Sequence, residues 1–220
     1  MITLRTAIEA SLPEGFVLPA EFATTFDWLQ DNGHAGEVRG APYAGVFGFD
    51  AGDSSSLAFH PAESEFMKYW LGNPDVDSQI AVIMRTGTDG SRAGLWRDAD
   101  GVQHIVHLGS GSGSTAVGVL VESPVDLLRL FAIGYDEVCW PEIHSLTARE
   151  VFDAELAESG DDPEDWVFEL PEEFRSFVSE TFGVSIPQRA SEIVSALQDM
   201  DVDDAGSSDP FCTWLDIHRR

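Results

Sequence analysis

An α+β fold, with a single central mostly antiparallel sheet flanked by helices and a C-terminal helical extension, is predicted by three features of the sequence. Apolar segments of strand length follow one another between residues 79 and 121, separated by turn signals and not by helices; this selects antiparallel pairing over a doubly wound parallel sheet. Helical patterns lie on both sides of that block. The composition, 43% hydrophobic and 10% aromatic over 220 residues, is that of a chain able to bury a core without staples.

The first helix signal begins at Leu18-Pro19-Ala20-Glu21-Phe22, where Phe22, Phe26 and Leu29 fall at i, i+4 and i+7 and Asn32-Gly33 supplies the stop. Residues 38–49 and 56–59 read as short strands or irregular edges, broken by Gly and Pro. Residues 63–71 read as a short helix weighted by Phe66, Met67, Tyr69 and Trp70. Gln79–Arg85 is a buried-type strand and Thr86–Ser91 a turn cluster. Ala93–Arg97 and Val102–Leu108 form a hairpin around Asp98-Ala99-Asp100-Gly101, since Gly tolerates the positive φ such turns need. Thr115–Val121 is a further strand. Ser123-Pro124-Val125-Asp126 opens a helix, with Ser as N-cap and Pro in the first turn; Gly134 ends it.

From residue 150 the character changes. Residues 150–220 hold 19 of the 39 acids against four Arg. Three helical patches are expected there, at 172–182, 191–197 and 211–218, and 158–165, before the first, and 199–209, before the last, are expected to be mobile acidic stretches. The chain thus divides into an α+β domain over 1–149 and an acidic helical extension over 150–220 packed on it.

Twelve basic residues against 39 acids give a formal charge of −27. Such a surface repels nucleic acid and anionic membranes, so direct binding to either is not expected. The single lysine, Lys68, beside eleven Arg fits coding or salt bias, a second source of the acidity. No run of about 18 apolar residues is present, and residues 1–16 lack a secretory core; the expectation is a cytoplasmic protein.

The motifs that could carry chemistry are weak. Gly109–Ser114 is followed by a strand and lacks the third glycine of a dinucleotide loop, so it reads as a hairpin linker and no cofactor is expected. His104 and His107, three apart on a strand, point to opposite faces and cannot chelate together. Asp199, Asp201 and Asp203 mimic the start of a calcium loop, but its sixth and twelfth positions are Asp204 and Pro210. Cys139 with His144 five residues on has no activating signature and reads as structural. No GxSxG elbow exists. The reading is non-enzymatic: no catalytic residue and no metal ligand is assigned. The remaining signal is acid beside an aromatic, Asp161, Asp162, Glu164 and Asp165 around Trp166, repeated in kind by Asp201, Asp203 and Asp204. Steering by the acids and anchoring by the ring would suit a basic protein partner.

Two stretches carry a family resemblance: LPAEFATTFDWLQDNG at 18–33, and TGTDGSRAGLWRDADGVQHIVHLGSGSGSTAVGVLVESPVDLLRLFAIGYDE at 86–137. Together with FRSFVSETFGVSIP and DPFCTWLD in the tail they resemble the SUKH superfamily, its Knr-type bacterial members. The sequence departs from that family's pattern at Gly-Thr-Asp-Gly in the first turn and at the GSGSG run after "LG". The resemblance implies an α+β fold and a non-enzymatic role, that of an immunity protein binding a cognate basic toxin such as a nuclease. A regulatory scaffold of the same fold, or a hydrolase or small-molecule binder using a cleft between sheet and tail, are the alternatives.

Overall fold

The computed structural model describes residues 2–49, 56–160, 162, 164, 166–201 and 207–219. Eight strands form one sheet in chain order, every neighbour antiparallel: β1 (Ala35–Val38), β2 (Ala41–Gly45), β3 (Ala58–Phe59), β4 (Ile80–Arg85), β5 (Arg92–Arg97), β6 (Gln103–Leu108), β7 (Ala116–Val121) and β8 (Gln198–Asp199). Around it lie α1 (Leu4–Ser11), α2 (Ala20–Asp31), α3 (Phe66–Trp70), α4 (Pro124–Phe131), α5 (Ala148–Ser159), α6 (Glu172–Phe182) and α7 (Pro210–His218). The fold is α+β, as the strand block and its flanking helices predict.

Local chemistry explains the element ends. Arg39 and Gly40 both take positive φ, 53° and 82°, and make the tight turn between β1 and β2. Asp98 closes the β5–β6 hairpin: its Oδ1 accepts from Asp100 N and Val102 N at 3.0 and 2.8 Å. Ser123 accepts from Asp126 N at 3.1 Å, with Pro124 in the first turn of α4. Thr147 and Glu150 form a reciprocal capping box at the start of α5.

The period-2 alternation of the strands separates two cores. Ala93, Leu95 and Ile105 face one side, where Phe22, Phe26, Phe59 and Phe131 pack with Phe174 and Val178 of α6. Phe26 meets Phe59 edge-on at 5.0 Å, and Phe59 lies 5.5 Å from Phe131. Val82, Trp96, Val106 and Leu108 face the other side, under Met67 of α3 and Phe211, Trp214 and Leu215 of α7. Each such ring or branched chain removed from water contributes about 1.5–3 kcal/mol. The tail enters both cores, and β8 extends the sheet beside β7.

Several elements differ from the sequence expectation. The 191–197 patch is not a helix: a single 3-10 turn at Ala190–Glu192 is followed by extended chain, with Val194 bridging Val121 and Ser195 N donating to Leu120 O at 2.9 Å. β-Branched Ile193 and Val194 are better served beside the open edge of β7 than in an isolated turn of helix. The helix expected at 63–71 contracts to Phe66–Trp70. Both α1 and α5 form where no helix was expected. The loop expected at 158–165 begins inside α5, and the 199–209 loop begins in β8 and ends at Asp209, the N-cap of α7.

Candidate binding site

A cavity of about 150 Å³ opens between the end of α4, α5 and the extended chain at 167–169. Gly134 positions its first wall. At φ +104° it turns the chain sharply out of α4, and a Cβ there would stand 2.3 Å from Leu170 Cδ2, so only glycine fits. Tyr135 is then locked in the core, its hydroxyl donating to Leu146 O at 2.6 Å and accepting from Ala190 N at 3.0 Å. Asp136 follows at the rim. Glu155 arrives from α5, one face of which places Val151 and Phe152 on the cavity floor, and Glu169 completes the wall beside Phe168.

The two carboxyls of Asp136 and Glu155 are electrostatically unsettled. Burial pushes Asp136 above the usual carboxylate range and Glu137 adds to it. Glu155 is raised by burial, then by Asp136, Glu137 and Glu158. Both residues are exposed to solvent, so the crowding is that of a rim and is softened by water. Among the described residues neither carboxylate has a hydrogen-bond or ion-pair partner, and residues 50–55, 161, 163 and 165 include no Lys or Arg. Neighbouring Glu137 is satisfied by contrast: it accepts from Thr88 N and Trp140 Nε1, each at 2.6 Å, and from the Thr88 hydroxyl.

Most of the protein's cations are committed within the chain. Arg5 pairs with Glu9 and Asp27, Lys68 with Glu65, Arg92 with Glu63 and Arg129 with Asp126. Arg149, Arg175 and Arg189 pair with Asp153, Glu172 and Glu150. Arg149 stacks on two rings that line the cavity, its guanidinium 3.9 Å over Phe168 and 5.5 Å over Phe152. Asp136 and Glu155 therefore form an acidic rim beside the Val151, Phe152 and Phe168 side chains, a shape suited to a cationic side chain with an aliphatic stem.

No family model, curated protein or solved structure matches this chain.

The residues singled out from sequence are distributed differently. Asp162 and Glu164 are exposed and turn on each other, Glu164 N donating to Asp162 Oδ1 at 3.1 Å. Trp166 is not a free anchor: it is half-buried, with its ring edge-on to Phe152 at 5.9 Å. Asp201 is exposed just beyond β8, its N–H donating to Asp199 Oδ1 at 2.9 Å. Asp161, Asp165, Asp203 and Asp204 lie outside the described residues. The two acidic stretches hang on different elements, one following α5 and the other following β8. Asp136, Glu155 and Glu169 escaped the sequence reading because they are 14 or more positions apart; the available signal was Asp136-Glu137 placed two residues after the helix-ending Gly134.

The histidines and cysteines are held by the fold. His104 Nε2 lies 2.9 Å from Asp98 Oδ2 on one face of β6. His107, on the other face, is fully buried between Ala116 O at 2.8 Å and the Thr86 hydroxyl at 3.1 Å, and burial lowers its pKa to about 4. His144 Nε2 bonds Val138 O at 2.9 Å, not Cys139. Burial pushes the Cys139 thiol up, further from reactivity. Among the described residues no three His, Cys, Asp or Glu side chains converge to hold a metal ion, and none of the described helices is long and apolar enough to cross a membrane.

Proposed function

We propose that this chain is a non-enzymatic binding protein for a basic protein, of the SUKH immunity type, that neutralises a nuclease-like toxin. A lysine or arginine of the toxin enters the cavity between Asp136 and Glu155. The observation that carries the reading is a pair of raised carboxyls, without a cation partner among the described residues, at the rim of a small cavity that Val151, Phe152 and Phe168 also line. An incoming ammonium or guanidinium offsets their mutual repulsion and favours the charged form of both, so it draws their pKa values back down. The −27 charge raises the encounter rate over a Debye length of roughly 8 Å at physiological salt, and the cavity supplies the desolvated contact that steering alone lacks.

A hydrolase reading finds support in the same two carboxyls, because a raised carboxyl is what a general acid needs. The cavity volume weighs against it: about 150 Å³ is below the roughly 300–1,000 Å³ of small-molecule sites, yet sufficient for one side chain.

Co-expression tests the proposal. The basic protein encoded beside this chain should arrest growth when produced alone and not when produced with it, and the Asp136→Asn/Glu155→Gln double variant should withdraw the protection. A neighbouring gene with no toxic product, or undiminished protection by a folded double variant, contradicts it.

A further inference from the structure

The second face of the sheet is covered by α3 and α7 over β4–β7, and toward β1–β3 it opens into a groove of about 1,030 Å³. Three of the chain's twelve cations line this groove: Arg39, Arg85 and Arg92. Arg85 and Arg92 are register partners, directly opposite each other across β4 and β5. Like charges so placed destabilise a sheet, and a chain carrying 39 acids had ample means to avoid the pairing.

Among the described residues one of the three meets a carboxylate. Arg92 Nε donates to Glu63 at 2.7 Å, and its Nη1 to Gly90 O and Ser91 O at 2.9 and 3.2 Å. Arg85 Nε reaches a backbone carbonyl, Gly87 O, at 3.2 Å, and among the described residues neither Arg85 nor exposed Arg39 has a carboxylate partner. Arg39 also sits at φ 53°, a conformation disfavoured for an arginine and suited to glycine. Behind them His60 donates from Nδ1 to Pro61 O at 2.9 Å; its buried Nε2 makes no hydrogen bond among the described residues and stands 3.6 Å from Glu63 Oε1. Burial, with Arg92 and Arg85 adding to it, holds His60 below its ordinary pKa against the opposing pull of the Pro61 carbonyl and Glu63. Glu37, also at the rim, alternates to the other face of β1, since its register partner is Pro42 and not Tyr43.

We propose that this groove binds a small molecule through a compact oxyanion, a phosphate or carboxylate group held by Arg85 and Arg92 with Arg39 closing over it. The planar guanidinium fork matches either group in bidentate fashion. The size of the ligand follows from the rest of the molecule: a net charge of −27 repels an extended polyanion at long range, whereas a small anion feels the local arginines once inside the groove. Tyr43 and Thr88 line the same groove.

The test follows the Arg side-chain Nε–H resonances of the full chain by NMR while inorganic phosphate and, separately, acetate are titrated in. Saturable shifts at Arg85 and Arg92 with phosphate, with acetate or with both support the proposal and say which group the site prefers. Arg85→Gln should weaken that binding at least about tenfold while its melting temperature equals or exceeds that of the wild-type chain, because a cross-strand repulsion is removed. Arg39→Gly, which relieves the positive φ, should weaken binding and stabilise the fold together, and it serves if Arg85→Gln does not fold. No saturable shift with either anion, affinity unchanged in the folded variants, or binding confined to duplex DNA or anionic vesicles overturns the proposal.

Discussion

Asp89, half-buried, and Asp136, exposed at a cavity rim, stand 47 positions apart in the chain, and their surroundings drive them in opposite directions. Burial pushes Asp89 up, but hydrogen bonds outweigh it and leave its carboxyl below the usual range. Its Oδ1 accepts from Ser91 N at 2.8 Å; its Oδ2 accepts from Ser91 Oγ, Ser110 Oγ and Ser114 N at 2.9, 2.9 and 2.8 Å. The glycines make room for this hub. A Cβ on Gly113 would stand 2.6 Å from Asp89 Oδ2, and one on Gly87 2.4 Å from Cys139 Sγ. The GSGSG run is thus a wrapping for one carboxylate, which ties the β4–β5 turn to the β6–β7 turn. Asp136 is desolvated with no donor to its carboxylate among the described residues, and it is raised. A carboxylate that the fold satisfies holds the structure together; one that the fold crowds and leaves without donors is available to something outside it.

The largest effect expected from this contrast is at Asp89. Asp89→Ala strands several donors at once and should cost about 3 kcal/mol in urea unfolding at neutral pH. Because the folded pKa of Asp89 is depressed, its stabilisation is complete above the ordinary carboxylate pKa. It is lost as pH falls through the folded value, so the difference between wild type and variant should shrink on acidification. A pH-independent difference would mean the loop is held by packing alone.

Next in size is the loss of cation binding. Asp136→Asn/Glu155→Gln should weaken binding of a tetra-arginine peptide by about tenfold in calorimetry, and wild-type binding should weaken with added salt. Asp89→Asn should leave that affinity unchanged. Equal losses in both variants would erase the distinction between the two carboxylates.

The smallest effect is a gain. Removing crowded charges should raise the stability of the double variant by about 0.5 kcal/mol at neutral pH. A raised folded pKa destabilises above that pKa and not below the ordinary one, so this gain should vanish as pH falls through that window. A loss of stability at neutral pH would show that these carboxylates have partners after all.

Local signals made the sheet legible. The Asp98–Gly101 hairpin, the Ser123 cap and the Phe22, Phe26, Leu29 stripe all depend on neighbours within a turn or two of chain, and all three appear where residue spacing places them. What was not legible depends on distant partners. The segment at 191–197 forsakes helix because the β7 edge is waiting near it, Val194 bridging Val121 from 73 residues away in sequence. Trp166 looked like an anchor among acids, but Phe152 claims its ring. The cavity joins Asp136 to Glu155 and Glu169 through a turn at Gly134 and a helix whose capping box, Thr147 with Glu150, was present in the sequence and passed over. Acidity marks a surface in sequence; only packing distinguishes which acids are already satisfied.

Carboxyl-detected NMR titration of Asp136 and Glu155, run on the free chain and again with saturating tetra-arginine, tests the central claim most directly. Both groups should titrate above the ordinary carboxylate range in the free protein and drop when the peptide is bound, while Asp89 stays low throughout. Ordinary values for Asp136 and Glu155 that the peptide leaves in place would contradict the account.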